Sequence, residues 1–186
     1  MKKIIIVVIL ILLIVFITYF IINKYTLNKN DDESNIEEDE NKVELKSVFK
    51  NGEKIPIKYT ADGEDVNPPL DISGIPNNAQ SLVLIIDDPD APRGTWVHWV
   101  VWNTPANINK IKENSIPENS VQGKNSWGKN EYGGPSPPSG THRYYFKLYA
   151  LDNTLSLDQS ADKKSVENAM KGHILAKTEL MGVYSR

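Results

Sequence analysis

Asp87-Asp88-Pro89-Asp90-Ala91-Pro92 follows the apolar run Leu82 to Ile86 directly, so carboxylates stand at the end of a strand that the core must bury. A desolvated carboxylate is costly unless a cation or hydrogen-bond donor compensates it. Two of the chain's three histidines, His98 and His142, lie inside later strand-like stretches and reach those acids if the strands are neighbours. Brought together, Asp88, Asp90, His98 and His142 would make a small polar pocket in a β-rich core. Two carboxylates in one partly dry site repel and tend to share a proton, whereas an adjacent imidazolium favours the ionised form. Such a site both donates and accepts hydrogen bonds at close quarters.

Each residue also has a plainer reading. Asp-Pro-Asp-Ala-Pro is turn chemistry, because Asp accepts local backbone hydrogen bonds and Pro fixes φ. His98 and His142 are core histidines if their ring nitrogens are paired. Metal binding would use the same residue types, but no His-x-x-x-His or His-x-Asp spacing is present, and the chain has no cysteine to supply a thiolate ligand. Hydrolysis would need a nucleophile. Ser136, Ser139 and Thr141 lie near His142, without a strand–turn–helix elbow around them. Arg143 sits one position from His142 and Tyr144, so on a strand it points to the other face and forms a structural ion pair.

Further motifs accompany these residues in order: Gly63-Glu64-Asp65-Val66-Asn67-Pro68-Pro69-Leu70, then Asp88-Pro89-Asp90-Ala91-Pro92 with Trp96 and His98, then Gly134-Pro135-Ser136-Pro137-Pro138-Ser139-Gly140-Thr141-His142-Arg143-Tyr144. From about Val43 onward the chain resembles the phosphatidylethanolamine-binding proteins, in their prokaryotic Raf-kinase-inhibitor-like branch. That resemblance implies a binding domain rather than an enzyme, with no cofactor and no metal. It implies a pocket for a small anion, a phosphate or a phosphomonoester headgroup, formed by Asp88, Asp90, Trp96, His98, Pro137, His142 and Tyr144. Pro138 joins Pro137 on the rim, and Gly128, Tyr132, Gly134 and Tyr184 are peripheral candidates. Histidine and tyrosine donors, with backbone N–H groups at Gly133-Gly134 and Gly140, would hold the anion, and Trp96 would supply an apolar wall. The aspartates would orient the histidines, since a carboxylate facing a phosphate is repulsive. The family name also brings in a protein partner, a kinase or protease inhibited through a surface loop. The short Arg93-Gly94-Thr95 link departs from the animal members, so their kinase targets do not carry over.

The positioning elements are mostly strands. Leu82 to Ile86 is short and continuously apolar, as a buried strand is. Trp96 to Asn103 places Trp96, His98, Val100 and Trp102 on one face and Val97, Trp99 and Val101 on the other, and its apolar character on both faces implies the middle of a covered sheet. Tyr144 to Leu151 is a further strand. Val43 to Phe49 and Lys54 to Thr60 flank Asn51-Gly52 and predict a hairpin. Ala61 to Pro76 and Thr104 to Tyr132 read as irregular. Ser165 to Tyr184 has helical spacing, with Ser160 or Asp162 as cap, Gly182 loosening its end and His173 packed on the helix. The expected fold is thus mainly β, a two-sheet antiparallel sandwich with one C-terminal helix.

Ahead of this domain, residues 43–186, stand two segments of other character. Ile4 to Ile22 is almost wholly apolar and long enough for a helix to cross about 30 Å of hydrocarbon. It lacks the small residues that precede a signal cleavage site, so residues 1–27 read as an uncleaved membrane anchor, and the basic Lys2-Lys3 start ahead of the apolar run places the domain on the extracellular face. Residues 28–42 hold seven of the chain's 24 acids and almost nothing apolar, which predicts a solvated, disordered tether. After Glu40 the Lys plus Arg and Asp plus Glu counts are equal at 17 each. A charge-balanced domain lacks the basic face of a nucleic-acid binder.

Overall fold

The computed structural model describes residues 16–24 and 42–186. These fall in two separate units, Met1–Asn41 and Lys42–Arg186. In the first, residues 16–24 form a helix, α1, whose side chains Phe16, Tyr19, Phe20 and Ile22 are exposed. Among the described residues no helix is long and apolar enough to cross a membrane. The rest of the expected anchor, and nearly all of the acidic tether, lie outside the described residues.

The second unit is mainly β. A three-stranded sheet has the order β1 (Glu44–Lys46), β2 (Leu70–Ser73), β5 (Lys110–Ile111). A five-stranded sheet runs β6 (Val121–Gln122), β4 (Trp96–Pro105), β3 (Ser81–Asp88), β7 (Thr141–Leu151), β8 (Ile174–Ser185). Every pairing between these strands is antiparallel. One short helix, α2 (Lys163–Ala169), begins at Asp162, whose side chain accepts from the Ser165 N–H at 2.9 Å.

β3 is buried along its whole length because it is covered on both faces. Leu82, Leu84 and Ile86 enter the core between the sheets, where they meet Leu45, Leu70, Ile72, Ile111, Phe146 and Leu148. Val83 and Ile85 turn the other way, onto Val100, Trp102, Leu151, Val166 and Met170 beneath α2. The strand expectations for Leu82 to Ile86, Trp96 to Asn103 and Tyr144 to Leu151 therefore hold, and the period of two explains both cores.

Three expectations are corrected. The helix foreseen over Ser165 to Tyr184 stops at Ala169. Gly172 then turns the chain at φ 82°, and Ile174–Ser185 becomes the edge strand beside β7. Its buried positions, Leu180, Gly182 and Tyr184, alternate as a strand requires, and His173 hydrogen-bonds Asp152 in the turn rather than packing on a helix. Gly182 is needed for close approach: a Cβ there would lie 2.5 Å from Ile55 Cγ1 and 2.7 Å from Phe49 Cε2. Second, Asn51-Gly52 does turn tightly, but residues 53–55 bond to β8 instead of to Val43–Phe49. The Ile55 N–H donates to the Val183 carbonyl, and the Val183 N–H to Glu53. Third, β2 lies inside the stretch expected to be loop, and the largely irregular Thr104–Tyr132 contributes β5 and β6.

Candidate functional site

The acidic motif divides along the strand period. Asp87 is fully buried on the α2 side, with Lys147 Nζ 2.8 Å from Oδ1 and Lys163 Nζ 2.5 Å from Oδ2. It ties α2 to the sheet. Asp88 faces the opposite way, and its Oδ2 meets His142 Nδ1 at 2.7 Å while Oδ1 accepts from the Asp90 N–H at 2.8 Å. Asp90 leaves the pocket altogether. Its carboxylate takes Arg143 Nε at 2.8 Å, Nη2 at 2.6 Å and the Arg143 backbone N–H at 3.0 Å. That grip holds the Asp90 carboxyl down at about 2. The expected carboxylate pair sharing a proton is therefore not formed, because each acid has its own cationic or imidazole partner. Arg143 is the structural ion pair that its position implied.

His98 reaches the site through a break in register. Ile86 stands opposite Trp99 but Asp87 opposite Val97, so His98 is the additional residue of a β-bulge. Bulges re-aim side chains. Here Val97 packs into the core beneath α2 and Trp99 into the core between the sheets. Trp96 and His98 line one cavity with Asp88 and Tyr144. The simple alternation expected from Trp96 to Trp102 is thus overturned in its middle.

The bulge is held by the segment that crosses it. The Gly133 N–H donates to the His98 carbonyl at 3.1 Å, and His98 Nδ1 lies 2.6 Å from the Gly133 carbonyl, which assigns the ring proton to Nδ1 and leaves Nε2 as acceptor. Burial pushes the His98 pKa down, against the opposing pull of the Gly133 carbonyl and Asp88. The ring meets Trp127 and Tyr144 edge-on, with centroids 5.3 and 5.2 Å away, and Trp127 in turn packs on Trp96 at 5.3 Å.

The cavity has a volume of about 390 Å³. Of the residues anticipated for it, Asp88, Trp96, His98, Pro137, Pro138, His142 and Tyr144 line it. Asp90, Gly128, Tyr132, Gly134 and Tyr184 do not. Tyr132 donates to the Tyr59 carbonyl at 2.7 Å and Tyr184 to Asp62 at 3.0 Å. Gly128 is a turn residue at φ 75°. The Gly134 N–H is taken by Asp65 Oδ1 at 2.6 Å and that of Gly133 by His98, so neither is a free anion donor as expected. Asp65 thereby gives the Gly63–Leu70 motif a scaffolding role. Its neighbour Asn67 accepts from the Ser115 N–H and donates to the Lys112 carbonyl.

Trp127, Ser136 and Arg93 also line the cavity and were not foreseen. The available signal for Trp127 was a lone aromatic beside Gly128 in an otherwise polar stretch. Tyr144 carries the most telling atom. Its hydroxyl is buried and has no hydrogen bond of normal geometry, although the Ser136 backbone N–H approaches it and pulls its pKa down. Burial and the Asp88 carboxylate raise its pKa, so it remains a neutral donor. Among the described residues no group of three His, Asp or Glu side chains is placed to hold a metal ion.

The sequence pattern of the phosphatidylethanolamine-binding proteins matches residues 45–185. The chain belongs to the phosphatidylethanolamine-binding protein family. It is 50% identical over 155 residues to a UPF0098 protein of Pyrococcus abyssi, covering 79% of this chain and 87% of that one. To a UPF0098 protein of Methanothermobacter thermautotrophicus it is 48% identical over 144 residues, covering 75% and 95%. Among solved structures, a phosphatidylethanolamine-binding protein homologue from Chlamydia trachomatis is similar with a TM-score of 0.76 and 42% identity, covering 78% of this chain and 99% of that one. YbcL of E. coli, described as a member of the mammalian family, is similar at 0.74 and 28%, with the same coverage. The family fold seen in these structures is the two-sheet architecture that carries the Asp88, His98, His142 and Tyr144 cavity here.

Proposed function

We propose that this family member is a binding domain that captures a small phosphate- or carboxylate-bearing molecule in the His98–His142–Tyr144 cavity. The reading is carried by three hydrogen-bonding side chains that converge on one buried cavity end, Tyr144 among them. The two imidazoles complement it. Each has Nδ1 engaged, which leaves Nε2 for a ligand. His98 Nε2 is an acceptor and suits a P–OH or COOH proton. The imidazolium form of His142, with Asp88 behind its Nδ1, donates from Nε2 to an anionic oxygen. A singly protonated phosphomonoester offers both kinds of group. Of the serine and threonine hydroxyls near His142 in sequence, Ser139 and Thr141 are exposed and only Ser136 lines the cavity, which favours capture over turnover.

Calorimetric titration with inorganic phosphate and a set of phosphomonoesters tests this. Saturable binding that is weakened at least tenfold by His142→Ala is expected, and an absence of binding to the native protein would refute it. Turnover of phosphate or carboxylate esters that disappears with the same substitution would establish a hydrolase instead.

The apolar run Ile4 to Ile22, followed by an acidic segment, supports a domain tethered to a membrane and held on its outer side. Protease added to intact cells should remove the domain and leave the anchor. Full protection, or recovery in the soluble fraction, would count against that placement.

A further inference from the structure

Three arginines occur in the chain, and two are committed. Arg143 grips Asp90, and Arg186 grips Asp62. Arg93 lines the same cavity as His98, His142 and Tyr144, is exposed, and has no ion pair or side-chain hydrogen bond among the described residues. Its backbone is not free to drift. The preceding Asp90 is fixed by Arg143, and Gly94, at φ 97°, closes a turn by donating to the Ala91 carbonyl at 3.1 Å.

Size and lining point the same way. About 390 Å³ lies at the lower end of the roughly 300–1,000 Å³ of small-molecule pockets, and exceeds the need of one bare phosphate. Among the lining residues His98, His142 and Tyr144 are buried, whereas Arg93 and the apolar Pro92, Trp127 and Pro138 are exposed. The cavity therefore has a polar inner end and an apolar rim that carries one cation. An unpaired guanidinium costs nothing at a solvated mouth but selects strongly for a carboxylate or phosphate, which it can hold bidentately.

We infer that the ligand carries two anionic groups joined by a short carbon link, one held by His98, His142 and Tyr144 and the other by Arg93. This rests on the anion-capture reading above and narrows it to a ligand class. Phosphorylated hydroxy acids and short bisphosphates are of that kind. Asp88 also lines the cavity, but its charge is turned onto His142, so it does not oppose the second anion at Arg93.

The matched probes are glycerol 3-phosphate and 3-phosphoglycerate, which differ by a hydroxymethyl against a carboxylate. Titrated into the full chain in mild detergent, 3-phosphoglycerate should bind about tenfold more tightly, the usual size of a charge-assisted hydrogen bond. Arg93→Gln should bring that ratio close to one, and Arg93→Lys should retain part of it. If glycerol 3-phosphate and inorganic phosphate bind but the ratio is near one in the native protein, the two-anion inference is overturned and anion capture stands. A ratio that survives Arg93→Gln overturns the role of Arg93. If none of the three probes binds, both readings fall.

Discussion

His142 Nδ1 rests 2.7 Å from Asp88 Oδ2, both side chains being nearly closed to solvent. A carboxylate in that position fixes which ring nitrogen carries its proton toward the protein and presents the other to the cavity. Asp88→Asn keeps the size but removes the charge and allows the amide to donate instead. Phosphate affinity should fall by about tenfold, the cost of losing one hydrogen bond to a charged group. Nitrogen chemical shifts of His142 should show a changed tautomer in the ligand-free protein. Unaltered affinity together with unaltered shifts would show that Asp88 does not orient the ring.

Tyr144→Phe should separate stability from binding. The hydroxyl is buried with only the Ser136 backbone near it, so its removal deletes a desolvation cost of about 1 kcal/mol while keeping the ring that packs on His98. The variant should melt at the same temperature or higher, yet bind phosphate more weakly by about tenfold. A lower melting temperature would indicate that the hydroxyl is satisfied in the free protein after all.

The Asp90–Arg143 staple should be lost only in strong acid. The Arg143 hydrogen bonds lower the Asp90 carboxyl from 3.8 to about 2. A depressed carboxylate pKa contributes stability that is present above the unfolded value and disappears as pH falls through the folded one. The gap in melting temperature between the native protein and Arg143→Gln should therefore be constant from pH 5 to 8 and shrink between about pH 4 and 2. A gap that closes near pH 6 would locate the coupling elsewhere.

His98 has the corresponding behaviour at milder pH. Its imidazole is buried and its pKa lies below 6.5, so protonation is resisted in the folded state. Stability from this source is complete above 6.5 and declines as pH falls toward the folded value. His98→Gln should flatten the decline in melting temperature below pH 6.5, measured without ligand. A decline identical to that of the native protein would assign it to other groups.

Gly133→Ala should displace an aromatic wall. A Cβ at this position would lie 2.6 Å from Trp127 Cζ3 and 3.1 Å from Cη2, so the indole that packs on Trp96 and His98 must shift. Trp127 is half-exposed and can give way, so the cost should fall below the roughly 1–3 kcal/mol of overpacking in a closed core. Tryptophan fluorescence should shift and ligand affinity should drop. An unchanged emission spectrum would mean that Trp127 is not held in this packing.

How far the chain alone carries these conclusions depends on distance along it. Leu82 to Ile86, Trp96 to Asn103 and Tyr144 to Leu151 announce themselves as strands because period and apolar density are local properties. Asp88, His98 and His142 were recognisable because polar groups inside such strands need partners, and the side for Arg143 followed from alternation with Tyr144. Which carboxylate serves which partner was not readable. Asp90 goes to Arg143 and Asp87 to two lysines only because β7 and α2 flank β3, and those neighbours are set by long-range pairing.

Register and edges were likewise a tertiary matter. A bulge depends on what the opposite strand does, so nothing near His98 in the chain signals that it will leave the face of Val100 and Trp102 to reach the cavity with Asp88. Ile174–Ser185 carries apolar residues compatible with either period. It became a strand because β7 has unpaired backbone groups that only an extended neighbour can satisfy, and because Gly182 lets Ile55 and Phe49 close over it. The sequence by itself determined the strands and the kinds of group available for chemistry, since both follow from side-chain type and short spacing. The folded structure alone decided which atoms remain unpaired in the cavity, because that depends on every hydrogen bond made between segments far apart in the chain.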